Sequence, residues 1–214
     1  MNKYKYLSLF LFLTGTTLSL SAQHHLSATA QRLEQRGYVN VQTMDRSIFV
    51  SLMYSRPDNF TGTVLYGDLR EAYLHPDAAK ALEKAQRRLK QKHPELSLKV
   101  YDAARPIGIQ QTMWNKVKNT RKWKYVSNPA HGGGLHNYGL AVDVTLCDLK
   151  GDTLPMGTRI DHMGRVYVWG RTLRNRRLLA EVMRYGGFTP LKGEWWHFNY
   201  CSRPKARKYY KLIK

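Results

Sequence analysis

The sequence predicts an α+β domain with a central, mostly antiparallel sheet flanked by helices. Three observations predict it. Residues 76–92 and the stretch "NRRLLAEVMRYGG" (175–187) carry apolar residues at helical spacing with start or stop signals. Residues 96–105, 140–146 and 194–200 are apolar, strand-like runs bounded by turn residues. The 214 residues show no internal repeat and no low-complexity linker, which suits a single domain with its own core.

In chain order, "MNKYKY" is followed by the apolar run "LSLFLFLTGTTLSL" and the small residues of "SAQ". This is the order of a secretory signal peptide, so residues 1–22 are expected to be cleaved near Ala22 and residues 23–214 to form the domain. The apolar run is too short to span a bilayer, which takes about 20 residues. No later segment is apolar enough to serve as a membrane anchor. The expected location is therefore the periplasm or the exterior.

Residues 27–37 read as a short helix with a serine start and a glycine stop. Residues 47–54 read as a strand and 56–62 as a turn-rich loop. Pro76 at a first turn opens the helix over 76–92. A strand follows and ends at Arg105–Pro106. A helix is expected from Gly108 to about Val117, and a flexible loop over 128–139. The next strand covers 140–146, and "LCDLKGDTLPMGTRID" reads as a hairpin-type excursion. The glycine-stopped helix and the strand "EWWHFNY" close the pattern.

The chain carries 35 basic and 15 acidic residues, a formal charge of +20. Loss of Lys3 and Lys5 with the leader leaves +18. Such a balance points to an anionic environment. Export argues against nucleic acid and leaves a membrane surface or anionic cell-wall material as the expected anionic environment. Cys147 and Cys201 each lie four residues beyond a candidate ligand. Parallel segments would bring the thiols together and antiparallel ones would separate them. Two buried thiols are expected rather than a disulfide.

Hydrolytic metal sites need three protein ligands, an open position and a carboxylate outside the ligand set. The candidates are His136 and Asp143 in "LHNYGLAVD", and Glu194 with His197 in "GEWWHFNY". Small Gly139 and Ala141 would let the chain fold close to an ion. Positions i and i+3 of a regular strand face opposite sides. Glu194 and His197 therefore share a site only if Glu194 sits in a turn or bulge, for which Gly193 is well placed. The indoles of Trp195 and Trp196 would then form a dry wall that raises the Glu194 pKa. A buried aromatic strand with incidental polar residues fits the same spacing. Arg105, at a strand end, suits an oxyanion contact or a surface salt bridge.

The ordered set "YDAARP", "LHNYGLAVDVTL", "LPMGTRID" and "GEWWHFNY" resembles the zinc D-alanyl-D-alanine dipeptidases of the VanX type, which share the hedgehog/D-Ala-D-Ala peptidase fold. "YSRPDNFTG" and "NRRLLAEVMRYGGF" fit as well, so the resemblance covers about residues 54–200. It implies one Zn²⁺ per chain, bound by His136, Asp143 and His197. It implies Glu194 as general base and Arg105 as the group polarising the scissile carbonyl. It implies that Asp161 pairs with the ammonium of a D-Ala-D-Ala-like dipeptide and that Tyr54 lines the pocket.

One motif departs from the family pattern. The family often has Ser-x-His before the first ligand, whereas this chain reads Gly134-Leu135-His136. That leaves open how the substrate carboxylate is seated, and with it the identity of the dipeptide. His131, in "HGGG", is expected to be a loop histidine outside the ligand set. Two other readings stand beside the dipeptidase. One is a D-Ala or L,D-carboxypeptidase acting on muropeptides, against which Asp161 weighs. The other is a non-catalytic wall-binding module with a structural zinc, which would need neither Glu194 nor Arg105.

Overall fold

The computed structural model describes residues 26–164 and 166–214. The leader expected over residues 1–22 lies outside them. No helix among the described residues is long and apolar enough to cross a membrane.

Helix α1 (Ala28–Gln35) starts on Ser27, whose hydroxyl accepts from the Ala30 N–H at 3.1 Å, and stops before Gly37 at φ +80°. Strand β1 (Val39–Asn40), the single-turn helix α2 (Val41–Met44) and strand β2 (Phe49–Val50) follow. Strand β3 (Tyr73–Leu74) pairs antiparallel with β1. The strand expected over 47–54 is only two residues long. The Arg56 guanidinium bonds to Ser51 Oγ and Leu52 O and folds the chain into a 3₁₀ turn at Met53–Ser55.

Helix α3 (Pro76–Lys92) buries Ala78, Leu82, Ala85 and Leu89 along one stripe. Burying each of these two leucines is worth about 1.5–3 kcal/mol. Strand β4 (Leu96–Asp102), helix α4 (Ile107–Val117) and strand β5 (Ala141–Asp148) come next. Helix α5 (Gly170–Gly186) begins before the predicted span and stops at Gly187, φ +110°. It packs on α3 so closely that a Cβ on Gly186 would lie 2.5 Å from the Ala81 carbonyl oxygen. Strands β6 (Thr189–Leu191) and β7 (Glu194–Asn199) and helix α6 (Arg203–Tyr209) complete the chain.

The main sheet runs β2-β4-β5-β7-β6. Only β2–β4 is parallel, so the mostly antiparallel α+β expectation holds. Val142, Val144 and Leu146 of β5 are fully buried and alternate with Asp143 and Thr145, which point to the other face. One rung crosses three strands: Asp102 of β4 lies opposite Asp143 of β5, and Asp143 lies opposite His197 of β7. Because β5 and β7 are antiparallel, Cys147 and Cys201 diverge from that rung, and both thiols are free. Cys147 is buried, whereas Cys201 is only half-buried.

The loop expected over 128–139 is built from two 3₁₀ turns, Pro129–His131 and Leu135–Tyr138. The Asn137 side chain fixes the second turn, accepting from the Gly134 N–H and donating to the Arg105 carbonyl. Gly139, at φ +66°, is small for a reason other than ion approach. A Cβ there would lie 2.6 Å from the Tyr38 ring and 2.9 Å from the His75 backbone nitrogen.

Candidate metal centre and active site

His136 sits in the turn Leu135–Tyr138, whose carbonyl at His136 accepts from the Arg105 N–H at 2.9 Å. This bond ties the end of β4 to the first candidate ligand. His136 Nδ1 donates to the Ala103 carbonyl at 2.7 Å, which turns Nε2 inward. His197 Nε2 donates to Asn199 Oδ1 at 2.9 Å, which turns Nδ1 inward. Asp143 supplies Oδ1 from the facing strand.

The three inward atoms are 3.2 Å (His136–His197), 3.4 Å (His136–Asp143) and 2.9 Å (His197–Asp143) apart. Ligand atoms around a tetrahedral ion with bonds of roughly 2.0–2.1 Å are about 3.3 Å from one another. Two imidazoles and a carboxylate at this spacing, each ring fixed through its other nitrogen, fit a divalent cation. The Asp143 carboxyl is held well below the usual range, because the two imidazoles outweigh the effect of burial. Burial works against a charged His197, but the Asp143 carboxylate outweighs it and raises the imidazole pKa.

These atoms open onto a cavity of about 250 Å³ that Arg105, Asp161, Glu194 and Tyr54 also line. The strand geometry that separates i from i+3 is broken in β7. Pro190 pairs with Phe198 but the next residue, Leu191, pairs with Glu194, so β7 carries the extra residues of a bulge. Gly193 at φ +97° makes the turn before it. Glu194 and His197 therefore reach the same cavity, and burial raises the Glu194 pKa. Of the two tryptophans, only Trp196 lines this cavity. Trp195 turns to the other side, where its indole N–H donates to Thr158 Oγ1 at 2.8 Å and Arg176 lies over its ring.

A family profile described as D-ala-D-ala dipeptidase, of the M15 peptidases, matches residues 34–214. The chain belongs to this family. It is 35% identical over 166 residues to a D-alanyl-D-alanine dipeptidase of Escherichia coli (strain K12), covering 75% of this chain and 81% of that protein. It is 25% identical over 178 residues to a D-alanyl-D-alanine dipeptidase of Synechocystis sp., covering 64% of this chain and 72% of that protein.

In this D-ala-D-ala dipeptidase family member, Arg105 is a buried guanidinium gripped by Asp102 through Nε and Nη2. Its Nη1 donates to Gln110 Oε1 at 2.8 Å, and its cation lies 4.9 Å from the Tyr54 ring centroid. Tyr66 donates to the other oxygen of Asp102. Asp161 adopts φ +72°, a backbone that costs a non-glycine residue about 1–3 kcal/mol and persists where the surroundings impose it. The Phe60 N–H at 2.8 Å and the Tyr54 hydroxyl at 3.3 Å hold its two oxygens. Burial pushes the Asp161 carboxyl up to about 7. Burial, reinforced by Asp161, raises the Tyr54 phenol.

His131 is exposed and stands outside the ligand set. Sequence reasoning missed Asp102, Gln110 and Asn199. Asp102 and Gln110 flank "ARP" at spacings of three and five residues, and Asn199 follows His197 by two. Each signal was present but carried no meaning until the fold aimed the side chains at Arg105 and His197.

Proposed function

We propose that this protein is a zinc-dependent dipeptidase that hydrolyses D-alanyl-D-alanine, or a related D-amino-acid dipeptide, to free amino acids in cell-wall metabolism. One observation carries the reading. A single cavity combines the convergent His-Asp-His set, Glu194, the Arg105 guanidinium and the Asp161 carboxylate. The printed names of the two relatives support the substrate.

His136, Asp143 and His197 would hold the ion, and zinc bound there would supply Lewis acidity and a water acidified towards neutral pH. Glu194 accepts the proton of the attacking water and passes it to the leaving amine, a task its raised pKa suits. Arg105 donates to the carbonyl oxygen as negative charge develops there. Asp161 receives the substrate ammonium, and Tyr54 keeps that carboxylate in place. A carboxylate in this setting rewards a free N-terminus and disfavours an acylated one.

The basic–apolar–small order of residues 1–22 supports export to the periplasm, and the +18 charge supports proximity to anionic wall material. One observation favours the carboxypeptidase reading. A second cavity, of about 260 Å³, meets the first at Asp161 and offers room beyond the amine. The test measures alanine released from D-Ala-D-Ala, N-acetyl-D-Ala-D-Ala and L-Ala-L-Ala by the zinc-loaded protein and by Glu194→Ala. Cleavage of the free D,D dipeptide alone, abolished in the variant, is expected. Turnover of the acetylated substrate would shift the assignment to a carboxypeptidase. No turnover with zinc bound would leave the wall-binding module.

A further inference from the structure

The cavity lining carries charges of both signs. Asp161 is held by Tyr54 and Phe60. Arg105 links these residues to Gln110, lying over the Tyr54 ring and bonding through Nη1 to Gln110. On the far side of Gln110 lies Ser127, whose carbonyl accepts from Gln110 Nε2 at 2.8 Å. The Ser127 hydroxyl accepts from Arg203 Nη2 at 2.8 Å. Ser127, Arg203 and Gly134 all line the cavity. Among the described residues no carboxylate pairs with Arg203.

Gly134 leaves room for that hydroxyl. A Cβ on Gly134 would lie 3.0 Å from Ser127 Oγ, tighter than ordinary contact. Ser127 thus occupies the space that a side chain two residues before His136 would need. Its backbone is held by the same glutamine that orients Arg105, so its position relative to the metal centre is fixed.

We infer that Arg203 and Ser127 form the subsite for the terminal carboxylate of the dipeptide. Asp161 reads the ammonium and Arg203 reads the carboxylate, so the cavity selects a zwitterion whose two charges flank one peptide bond. A guanidinium and a hydroxyl donating to a carboxylate are charge-assisted bonds, which a neutral amide terminus cannot match. The assignment rests on the dipeptidase reading proposed above and deepens it.

The experiment compares D-Ala-D-Ala with its C-terminal amide for the zinc-loaded wild type, Arg203→Gln, Arg203→Lys, Ser127→Ala and the exchange Ser127→Gly/Gly134→Ser. Wild type is expected to prefer the free carboxylate. Arg203→Gln should raise KM for D-Ala-D-Ala about 10- to 100-fold, leave kcat within about threefold and erase the preference over the amide. Arg203→Lys should keep part of that preference, and Ser127→Ala should raise KM less than Arg203→Gln does. The exchange variant should recover affinity lost in Ser127→Ala, because its hydroxyl enters the vacated space from the other segment. If wild type cleaves D-Ala-D-Ala but Arg203→Gln keeps both KM and the preference, the carboxylate subsite is wrong and the dipeptidase reading stands. If wild type cleaves neither compound, the dipeptidase reading falls and this assignment falls with it.

Discussion

Asp102 grips the Arg105 guanidinium from three residues away, and both side chains are buried. Burial opposes the charge on Arg105, but Asp102 outweighs it and holds the guanidinium firmly protonated. A buried pair of this kind adds little net stability, yet removing one partner strands the other charge. Asp102→Ala is therefore expected to cost about 3–5 kcal/mol of unfolding free energy in a denaturant titration. The freed guanidinium should also lose its aim, lowering kcat by about 100-fold. Unchanged values of both would mean that Gln110 and the Tyr54 ring suffice to hold Arg105.

In the proposed mechanism Glu194 moves a proton, so its removal should act on kcat rather than on metal binding. Glu194→Gln keeps the shape and removes the base. We expect kcat to fall by about 10²–10⁴-fold, with stoichiometric zinc retained by elemental analysis. Loss of the metal together with activity would instead make Glu194 a ligand.

Much of this candidate site was legible in the sequence because its candidate ligands and base fall inside short, ordered motifs. His136, Asp143, Glu194 and His197 come from two segments that the sheet sets side by side, with Asp143 and His197 on one rung. The bulge that reconciles Glu194 with His197 could be stated in advance as a requirement, since a regular strand forbids the pairing. The supporting residues were not legible in the same way. Gln110 reaches Arg105 from the next helix, and Ser127 reaches Arg203 across 76 residues. Local pattern holds no trace of such contacts. The strand expected over 47–54 failed for a related reason, because a side chain, Arg56, closed the turn that ends it.

Burial pushes the Asp161 carboxyl up to about 7, and in the proposed role it binds an ammonium only as the carboxylate. Above that value the site is charged. Below it, KM for the free dipeptide should rise by about tenfold per pH unit while kcat follows Glu194. A cation in the triad offsets the Asp143 charge, which is one cause of the raised value, so the inflection in the loaded enzyme falls below 7. KM measured from pH 5 to 8 checks this. Asp161→Asn should give a high KM that no longer responds to pH, and a variant whose KM stays at the wild-type value would refute the assignment.

Asn199 touches no substrate-facing atom of the triad, yet it holds His197 by its outer nitrogen at 2.9 Å. Losing such a partner frees the ring to rotate and lowers its basicity. Asn199→Ala should weaken zinc affinity about 10- to 100-fold in competition with a chromophoric chelator. Activity should return when zinc is supplied in excess. Failure to recover at saturating zinc would give Asn199 a role beyond orienting the ligand.

Far from the site, Gly186 tests the helix packing that carries the sheet. In an exposed helix, glycine to alanine is stabilising by about 1 kcal/mol, because alanine loses less backbone entropy. Here the added methyl would lie 2.5 Å from the Ala81 carbonyl oxygen and 2.9 Å from the Ala85 Cβ. Neither atom is the end of a flexible side chain, so α5 must move away from α3. Such overpacking costs about 1–3 kcal/mol, which outweighs the propensity gain. Gly186→Ala should therefore lower Tm by about 2–4 °C for each kcal/mol lost, with kcat and KM unchanged. A raised Tm would mean that the two helices have room to separate without loss.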